Sequence, residues 1–148
     1  MSNTSKRASS RPLVEDSPGQ GDKDSKQISA LLQSYRDALV KSSTADVIKL
    51  YSKDAWLSAQ GFPIVQGRDN IETWYDQCFK AITLNVTFDV KEVVVVSDDY
   101  AFATTTSAGT QKDNASGKTS QEANHELFVI KKEDGDWKLA RYCFSTSK

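Results

Sequence analysis

The sequence QEANHELFVIKKEDGDWKLARYCFST, residues 121–146, decides the fold. Apolar and polar side chains alternate along much of this stretch, as they do in strands that are buried on one face. Between its halves, residues 133–136 read EDGD, a composition typical of a tight turn. The stretch is therefore predicted to form an antiparallel hairpin with strands over 121–132 and 137–146.

The two segments before this hairpin are also predicted strands. Residues 83–96 first alternate and then run through four consecutive valines, with a bulge predicted at 91–92. Residues 97–99 read SDD and predict a turn into a threonine-rich strand over 100–111. The second half of the chain is therefore predicted to contain four long antiparallel strands.

Helical periodicity fills the first half of the chain. Apolar residues from Ile28 to Leu39 recur at i, i+3, i+4 and i+7, and Asp24 and Ser25 before them resemble an N-cap. A short second helix, capped by residues 42–44, is predicted to carry Val47, Ile48, Leu50 and Tyr51. This pattern indicates that the first helix lays one apolar face on the sheet.

A short strand over 55–60 and a third helix after Gly67 complete the prediction. In that helix, apolar residues from Ile71 to Ile82 have helical spacing. Three helices followed by antiparallel strands define the α+β class, with the helices covering one face of a curved sheet.

The domain is predicted to span residues 26–148. Residues 1–25 are rich in Ser, Gly and Pro and have few apolar side chains. Such a segment buries too little surface to offset its ordering entropy, so a disordered tail is predicted there.

Composition excludes several classes of function. The 148 residues carry 19 basic and 20 acidic side chains, a net charge of −1 that provides no field for nucleic acid or anionic membrane. One histidine and two cysteines do not build a zinc or iron site, so no metal and no cofactor are expected. No apolar stretch is long enough to span a membrane and the first residues resemble no signal peptide, so a cytoplasmic protein is expected.

The motif HELFVI at 125–130, followed by DWKLARY at 136–142, resembles the NTF2-like superfamily, and within it the SnoaL-like group of the SgcJ/EcaC and DUF4440 type. Three further pieces carry the resemblance in the same order, namely LQSY at 32–35, LYSKDA at 50–55 and QGRDNI at 66–71. The resemblance implies a cone, in which a curved sheet wraps a long helix around a deep apolar pocket. It also implies a homodimer through the outer sheet face.

Ketosteroid isomerase, a member of this superfamily, is similar along the first helix. The resemblance places its oxyanion-hole tyrosine on Tyr35, the two supporting tyrosines on Tyr51 and Tyr75, and its protonated acid near Glu126. Its aspartate base falls on Ala59, and an alanine cannot take a proton from carbon. Steroid isomerisation by that route is therefore not expected.

Two interpretations stay open for Glu126 and for Tyr35. Glu126 is either a desolvated acid or base in the pocket, with its pKa raised by burial, or half of a buried ion pair with Arg141. Tyr35 either donates a hydrogen bond to a ligand oxygen or is a core tyrosine satisfied by Tyr75 or Tyr51. The resemblance implies that Glu126 points toward the cone. Because strand residues alternate, His125 then faces away from the pocket if the strand is regular, and a bulge would reverse this.

The pocket wall is predicted to be largely aromatic. The expected ligand-binding residues are Trp56, Trp74, Phe88, Asn124, Phe128, Tyr142 and Phe144.

Two functions fit this reading. The first is a cofactor-independent isomerase, cyclase or dehydratase acting on a small apolar molecule, such as a secondary metabolite, with Tyr35, Tyr51, Tyr75 and Glu126 as its catalytic residues. The alternative is a non-catalytic homodimer that binds a small ligand or associates with a protein. In either case a small molecule and a second copy of the chain are the expected partners. The second copy is expected because the valine run at 93–96 suggests a strand that is buried on both faces. Neither nucleic acid nor membrane is expected.

Overall fold

A computed structural model of the chain describes residues 20–147. Of the tail predicted over residues 1–25, residues 1–19 lie outside the described residues, whereas residues 20–25 form the start of helix α1 and were wrongly predicted as disordered. The helices are α1 (Gln20–Val40), α2 (Thr44–Ile48) and α3 (Arg68–Ala81). The strands are β1 (Tyr51–Ser58), β2 (Val65–Gln66), β3 (Ile82–Val95), β4 (Tyr100–Asp113), β5 (Thr119–Glu133) and β6 (Asp136–Thr146).

The predicted start of the first helix was wrong. Helix α1 begins at Gln20, so Asp24 lies inside it and is not an N-cap. The Asp24 carboxylate is buried and accepts a hydrogen bond from the indole nitrogen of Trp137 at 3.3 Å. A tertiary contact with β6 thus holds this turn in place, and local sequence does not reveal such a contact.

The region between α1 and α3 also differs from the prediction. Ser43 caps α2 by accepting a hydrogen bond from the backbone of Asp46 at 3.2 Å, and the helix is over before Tyr51. Tyr51 opens strand β1, which therefore begins four residues earlier than predicted. The two-residue strand β2 was not predicted, because a strand this short has no periodicity.

The sheet has six strands in the order β2-β1-β6-β5-β4-β3. All neighbours are antiparallel except β1 and β6, which run parallel. The predicted bulge in β3 is confirmed, since the register with β4 shifts between Val90 and Glu92. The sheet is curved and the helices lie on its concave side, as the α+β prediction required.

One close approach shapes the pairing of β3 and β4. Gly109 on β4 has a φ of 155°, and a Cβ placed there would collide with the backbone carbonyl oxygen of Asn85 on β3. Only glycine fits at this point without moving the neighbouring backbone.

Helix α1 contributes most of the packing against the concave face. Its buried stripe includes Ile28, Leu32, Tyr35 and Leu39, as the spacing predicted. No helix within residues 20–147 is long and apolar enough to cross a membrane.

Candidate functional site

A cavity of about 600 Å³ opens between α1, α3 and the concave face of the sheet. Most of the predicted site residues line it. They are Tyr35, Trp74, Tyr75, Phe88, Asn124, Glu126, Tyr142 and Phe144. This volume is in the range of small-molecule sites, so the aromatic side chains do not fill the pocket solid.

Three predicted site residues do not line the cavity. Tyr51 is completely buried behind Tyr75. Phe128 is also completely buried, with its ring stacked on Tyr142 at a centroid distance of 4.2 Å, so it supports the wall from beneath. Trp56 is on the opposite face of the sheet, where the Arg141 guanidinium covers its ring at 5.1 Å. The prediction that Trp56 and Phe128 line the pocket was therefore wrong.

Three tyrosine hydroxyls form a chain that begins at the cavity wall and ends in the core. The Tyr35 and Tyr75 oxygens are 2.6 Å apart, and the Tyr75 and Tyr51 oxygens are 2.7 Å apart. The three side chains come from α1, α3 and β1. Tyr75 follows Tyr35 by 40 residues and Tyr51 by 24 residues in the chain. Tyr35 and Tyr75 reach the cavity, whereas Tyr51 is the buried end of the chain.

The Tyr35 ring is enclosed by other aromatic rings. It makes edge-on contacts with Phe88, Phe128 and Tyr142 at centroid distances of 6.0, 5.8 and 5.5 Å. Burial in this apolar surrounding raises the pKa of Tyr35 well above its ordinary value, although its hydrogen bond with Tyr75 lowers it in part. Tyr35 therefore stays protonated and can act as a hydrogen-bond donor.

Glu126 is held by two hydroxyl groups. Thr105 donates to Oε1 and Ser107 donates to Oε2, each at 2.5 Å. Both donors are on β4, and Thr105 is the direct cross-strand partner of Glu126. Burial raises the pKa of Glu126 above its usual range, and the two hydroxyl donors offset only part of that shift.

The ion-pair interpretation of Glu126 was wrong. Arg141 lies on the outer face of the sheet and donates to the backbone carbonyl of Asp54 at 3.2 Å. The two side chains are on opposite faces because Glu126 is paired with Phe144, three residues from Arg141. His125 faces outward and is exposed, as the alternation of strand residues predicted.

Sequence reasoning missed the two hydroxyl partners of Glu126. Thr105 and Ser107 follow the two-residue period of β4 and are both buried. The spacing of two residues indicates that the two hydroxyls lie on the same face of the strand. The register that places them opposite Glu126 cannot be predicted from the sequence. Other lining residues that were missed include Gln60, Leu84, Val86, Gln111 and Glu122.

No group of three or more His, Cys, Asp and Glu side chains within residues 20–147 could hold a metal ion. Ala59, the position of the aspartate base in the ketosteroid isomerase comparison, is buried.

A curved sheet, a long helix on its concave side and an apolar cavity between them define an NTF2-like cone. The family model of the SnoaL-like domain matches residues 32–140, and the chain belongs to this family. The finer DUF4440 type stays a prediction. A search among curated proteins finds no match.

Solved structures with the same fold differ in what they are described as. A ketosteroid isomerase-like protein from Erwinia carotovora atroseptica is 31% identical, with a TM-score of 0.80, over 83% of this chain and 95% of that one. A proposed NTF2-like dehydratase from Streptomyces avermitilis is 18% identical, with a TM-score of 0.72, over 86% of this chain and 99% of that one.

A proposed kinase association domain, of the calcium/calmodulin-dependent kinase II type, from Xanthomonas campestris has the same fold. It is 21% identical, with a TM-score of 0.69, over 89% of this chain and 92% of that one. Structures of this fold are therefore described in different ways, and the site has to decide which function fits this chain.

Proposed function

We propose that this chain is a cofactor-independent enzyme that moves a proton on a small, largely apolar molecule, in an isomerisation, cyclisation or dehydration. One observation carries the proposal: the side chains of Tyr35 and of the buried Glu126 line the same apolar cavity. Such chemistry requires at least one hydrogen-bond donor and one proton acceptor of the protein that reach the same ligand.

The tyrosine chain supports Tyr35 as the donor. Tyr51 is fully buried, and its oxygen lies 2.7 Å from that of Tyr75. If Tyr51 donates to Tyr75 and Tyr75 donates to Tyr35, each buried proton has an acceptor. The Tyr35 proton is then the one available to a ligand oxygen in the cavity.

Glu126 has the properties of a proton carrier. Its raised pKa brings proton uptake closer to neutral pH, where an acid or base works best. In the proposed step, the Glu126 carboxylate takes a proton from carbon beside a ligand carbonyl. The electron pair moves onto the carbonyl oxygen, which Tyr35 stabilises, and Glu126 then returns the proton at another carbon or to a departing hydroxyl group.

Thr105 and Ser107 are proposed as positioning residues. Each fixes one carboxyl oxygen of Glu126, so the carboxyl plane is held without a charged partner. A fixed orientation lowers the reorganisation needed when the proton moves.

The likeness to the ketosteroid isomerase-like protein supports proton-transfer chemistry, but the base would differ. Ala59 removes the aspartate from its usual place in that enzyme class. Glu126 therefore has to serve as the base itself, and a single positioned group of this kind contributes a rate factor of about 10²–10⁴.

We also propose that the protein is a homodimer through the convex face of the sheet. A row of paired residues crosses this face from Trp56 through Arg141, Val129 and Phe102 to Val94. Together with Leu127, we call this row the outer patch. Leu127 is 45% exposed, Trp56 39% and Val94 37%, and such a concentration of exposed apolar side chains is typical of an association surface.

A non-catalytic ligand-binding dimer is the second candidate. The observation in its favour is that the Tyr35 hydroxyl already has a protein partner in Tyr75, as a structural tyrosine would. In that case the cavity and the outer patch keep their roles, while Glu126 transfers no proton.

Turnover of a metabolite extract tests the proposal without knowledge of the substrate. The purified chain is incubated with a small-molecule extract, and consumed and produced masses are followed by mass spectrometry. We expect a substrate to be converted by the wild type and not by Glu126→Gln. The matched control is Glu92→Gln, since Glu92 on β3 also accepts a threonine hydrogen bond, from Thr104 at 2.6 Å, but is exposed.

Two outcomes would count against the enzyme. If no mass changes with the wild type, or if Glu126→Gln converts the same compound at the same rate, the ligand-binding alternative is favoured. Mass spectrometry of small molecules that co-purify with the chain would then identify what the cavity holds.

A further inference from the structure

The loop between β1 and β2, residues 59–64, exposes three consecutive apolar side chains. Phe62 is 59% exposed and Ile64 is 53% exposed, and Pro63 between them is also exposed. A run of three exposed apolar residues is unfavourable on a protein surface unless it serves a function. We therefore ask what each of these side chains contacts.

Phe62 differs from the other two side chains in its position. It lines the cavity as well as a smaller neighbouring groove, whereas Pro63 and Ile64 line the groove and not the cavity. The side chain of the loop that a ligand in the cavity can reach is therefore that of Phe62.

The cavity has a buried end and an exposed end. Tyr35 and Glu126 are 2% and 4% exposed, so they lie at its deep end. Gln60, Phe62 and Gln77 also line the cavity but are exposed, and we call the end that they form the mouth. A ligand held by Tyr35 and Glu126 therefore has to extend outward to contact Phe62.

Contacts within the chain hold the Phe62 ring at the mouth. The backbone N–H of Phe62 donates to the carbonyl oxygen of Ala59 at 3.1 Å, which closes a turn. The ring meets Trp74 on α3 edge-on, at a centroid distance of 5.6 Å. The side-chain oxygen of Gln60 accepts a hydrogen bond from the backbone of Thr146 at 2.5 Å, which ties the loop to the end of β6. Because the ring is already positioned, less entropy is lost when a ligand packs on it.

We propose that Phe62 is a specificity-determining residue, which packs on the outer apolar end of a ligand whose polar end lies at Tyr35 and Glu126. The cavity then favours molecules that are long enough to reach the mouth, because their outer end is removed from water against the Phe62 ring. The inference rests on the proposed function for the orientation of the ligand, but it concerns binding and not turnover.

Two ketones of different length test the proposal: acetophenone, and 4-acetylbiphenyl, which carries a second ring at the far end. Their Kd values are measured by equilibrium dialysis on the wild type, Phe62→Ala and Ile64→Ala. Ile64 provides the matched control, because it is an apolar residue of the same loop with similar exposure and does not line the cavity. We expect the wild type to bind 4-acetylbiphenyl more tightly than acetophenone by about tenfold or more.

In Phe62→Ala we expect this ratio to fall by about threefold or more, and in Ile64→Ala we expect it to stay as in the wild type. Phe62→Tyr keeps the ring and should keep the ratio, and urea unfolding checks that each variant is folded. A ratio unchanged by Phe62→Ala, or lowered equally by Ile64→Ala, would overturn the proposal. So would a wild type that binds the two ketones equally well.

The two proposals fail in different ways. A ratio that does not depend on Phe62, together with loss of turnover in Glu126→Gln, overturns the inference and leaves the enzyme proposal standing. A ratio that depends on Phe62, together with unchanged turnover in Glu126→Gln, overturns the enzyme and leaves the inference standing. The absence of 4-acetylbiphenyl binding by the wild type overturns the inference, and turnover of the metabolite extract then decides on the enzyme alone.

Discussion

The two faces of strand β5 have opposite chemical characters. On the concave face, Asn124 and Glu126 lie beside a cavity, and Glu126 takes its hydrogen bonds from protein hydroxyls. On the convex face, His125 and Leu127 are exposed beside an apolar row. Because a strand alternates its side chains, residues that are adjacent in the chain face different surroundings. For these two faces we propose different tasks, proton transfer inside and association outside.

The largest expected effect is on the inner face. Glu126→Gln should lower kcat by about 10²–10⁴-fold, because glutamine cannot exchange the proton, while its amide can still bond Thr105 and Ser107. Steady-state kinetics with the converted metabolite measures the effect. Glu92→Gln, which changes the corresponding carboxyl on the outer face, should leave kcat unchanged, and an equal loss there would erase the distinction between the faces.

The second expected effect is on the outer face. Leu127→Arg places an unpaired charge in the proposed interface and should weaken the dimer by about 100-fold or more. Sedimentation across a concentration series measures the dissociation, and urea unfolding checks that the variant still folds. Thr73→Arg on exposed α3 is the control. If the wild type is a monomer, or if the Leu127→Arg variant stays a dimer, the outer patch is not the interface.

A smaller effect is expected within the tyrosine chain. Tyr35→Phe should lower kcat by about tenfold or more, because it removes the donor to the ligand oxygen. Tyr51→Phe, at the buried end, should cost about 0.5–1.5 kcal/mol of stability and affect kcat less. Kinetics and urea unfolding on both variants distinguish the two positions. A larger loss of kcat in Tyr51→Phe than in Tyr35→Phe would contradict the proposed direction of hydrogen-bond donation.

The smallest effect is a pH dependence of stability. Because burial raises the pKa of Glu126 above its ordinary value of 4.5, the folded chain holds this proton more tightly than the unfolded chain. As pH rises from about that value through the folded pKa, the wild type should lose stability relative to Glu126→Gln. Urea midpoints of both proteins at several pH values measure the difference. A wild type that gains stability over the variant in this window would contradict the pKa direction.

The sequence predicted the elements with strong periodicity and missed those fixed by tertiary contacts. The strand alternation around Glu126, the bulge near Glu92 and the helix after Gly67 are confirmed. The start of α1 was misplaced because the contact of Asp24 with Trp137 spans 113 positions.

The sequence predicted which residues of the candidate site share a strand face, but not how deeply each side chain is buried. Alternation placed Asn124 and Glu126 on one face of the strand, and the family resemblance, not the alternation, pointed that face toward the cone; both residues line the cavity. Phe128 follows the same alternation, yet it packs beneath Tyr142 because depth along a curved strand depends on neighbouring side chains. Trp56 was assigned to the wrong face of β1. The face on which it lies is set by the pairing of β1 with β6, where Trp56 is opposite Arg141, and this is a long-range contact.

A crystal structure of the chain with 2-acetylnaphthalene would test the central claim most directly, since this ketone offers an apolar body and one carbonyl acceptor. We predict that its carbonyl oxygen lies about 3 Å from the Tyr35 oxygen and that a Glu126 carboxyl oxygen lies within about 4 Å of the adjacent carbon. A ketone seated in the cavity but in contact with neither side chain, or bound only outside it, would contradict the account.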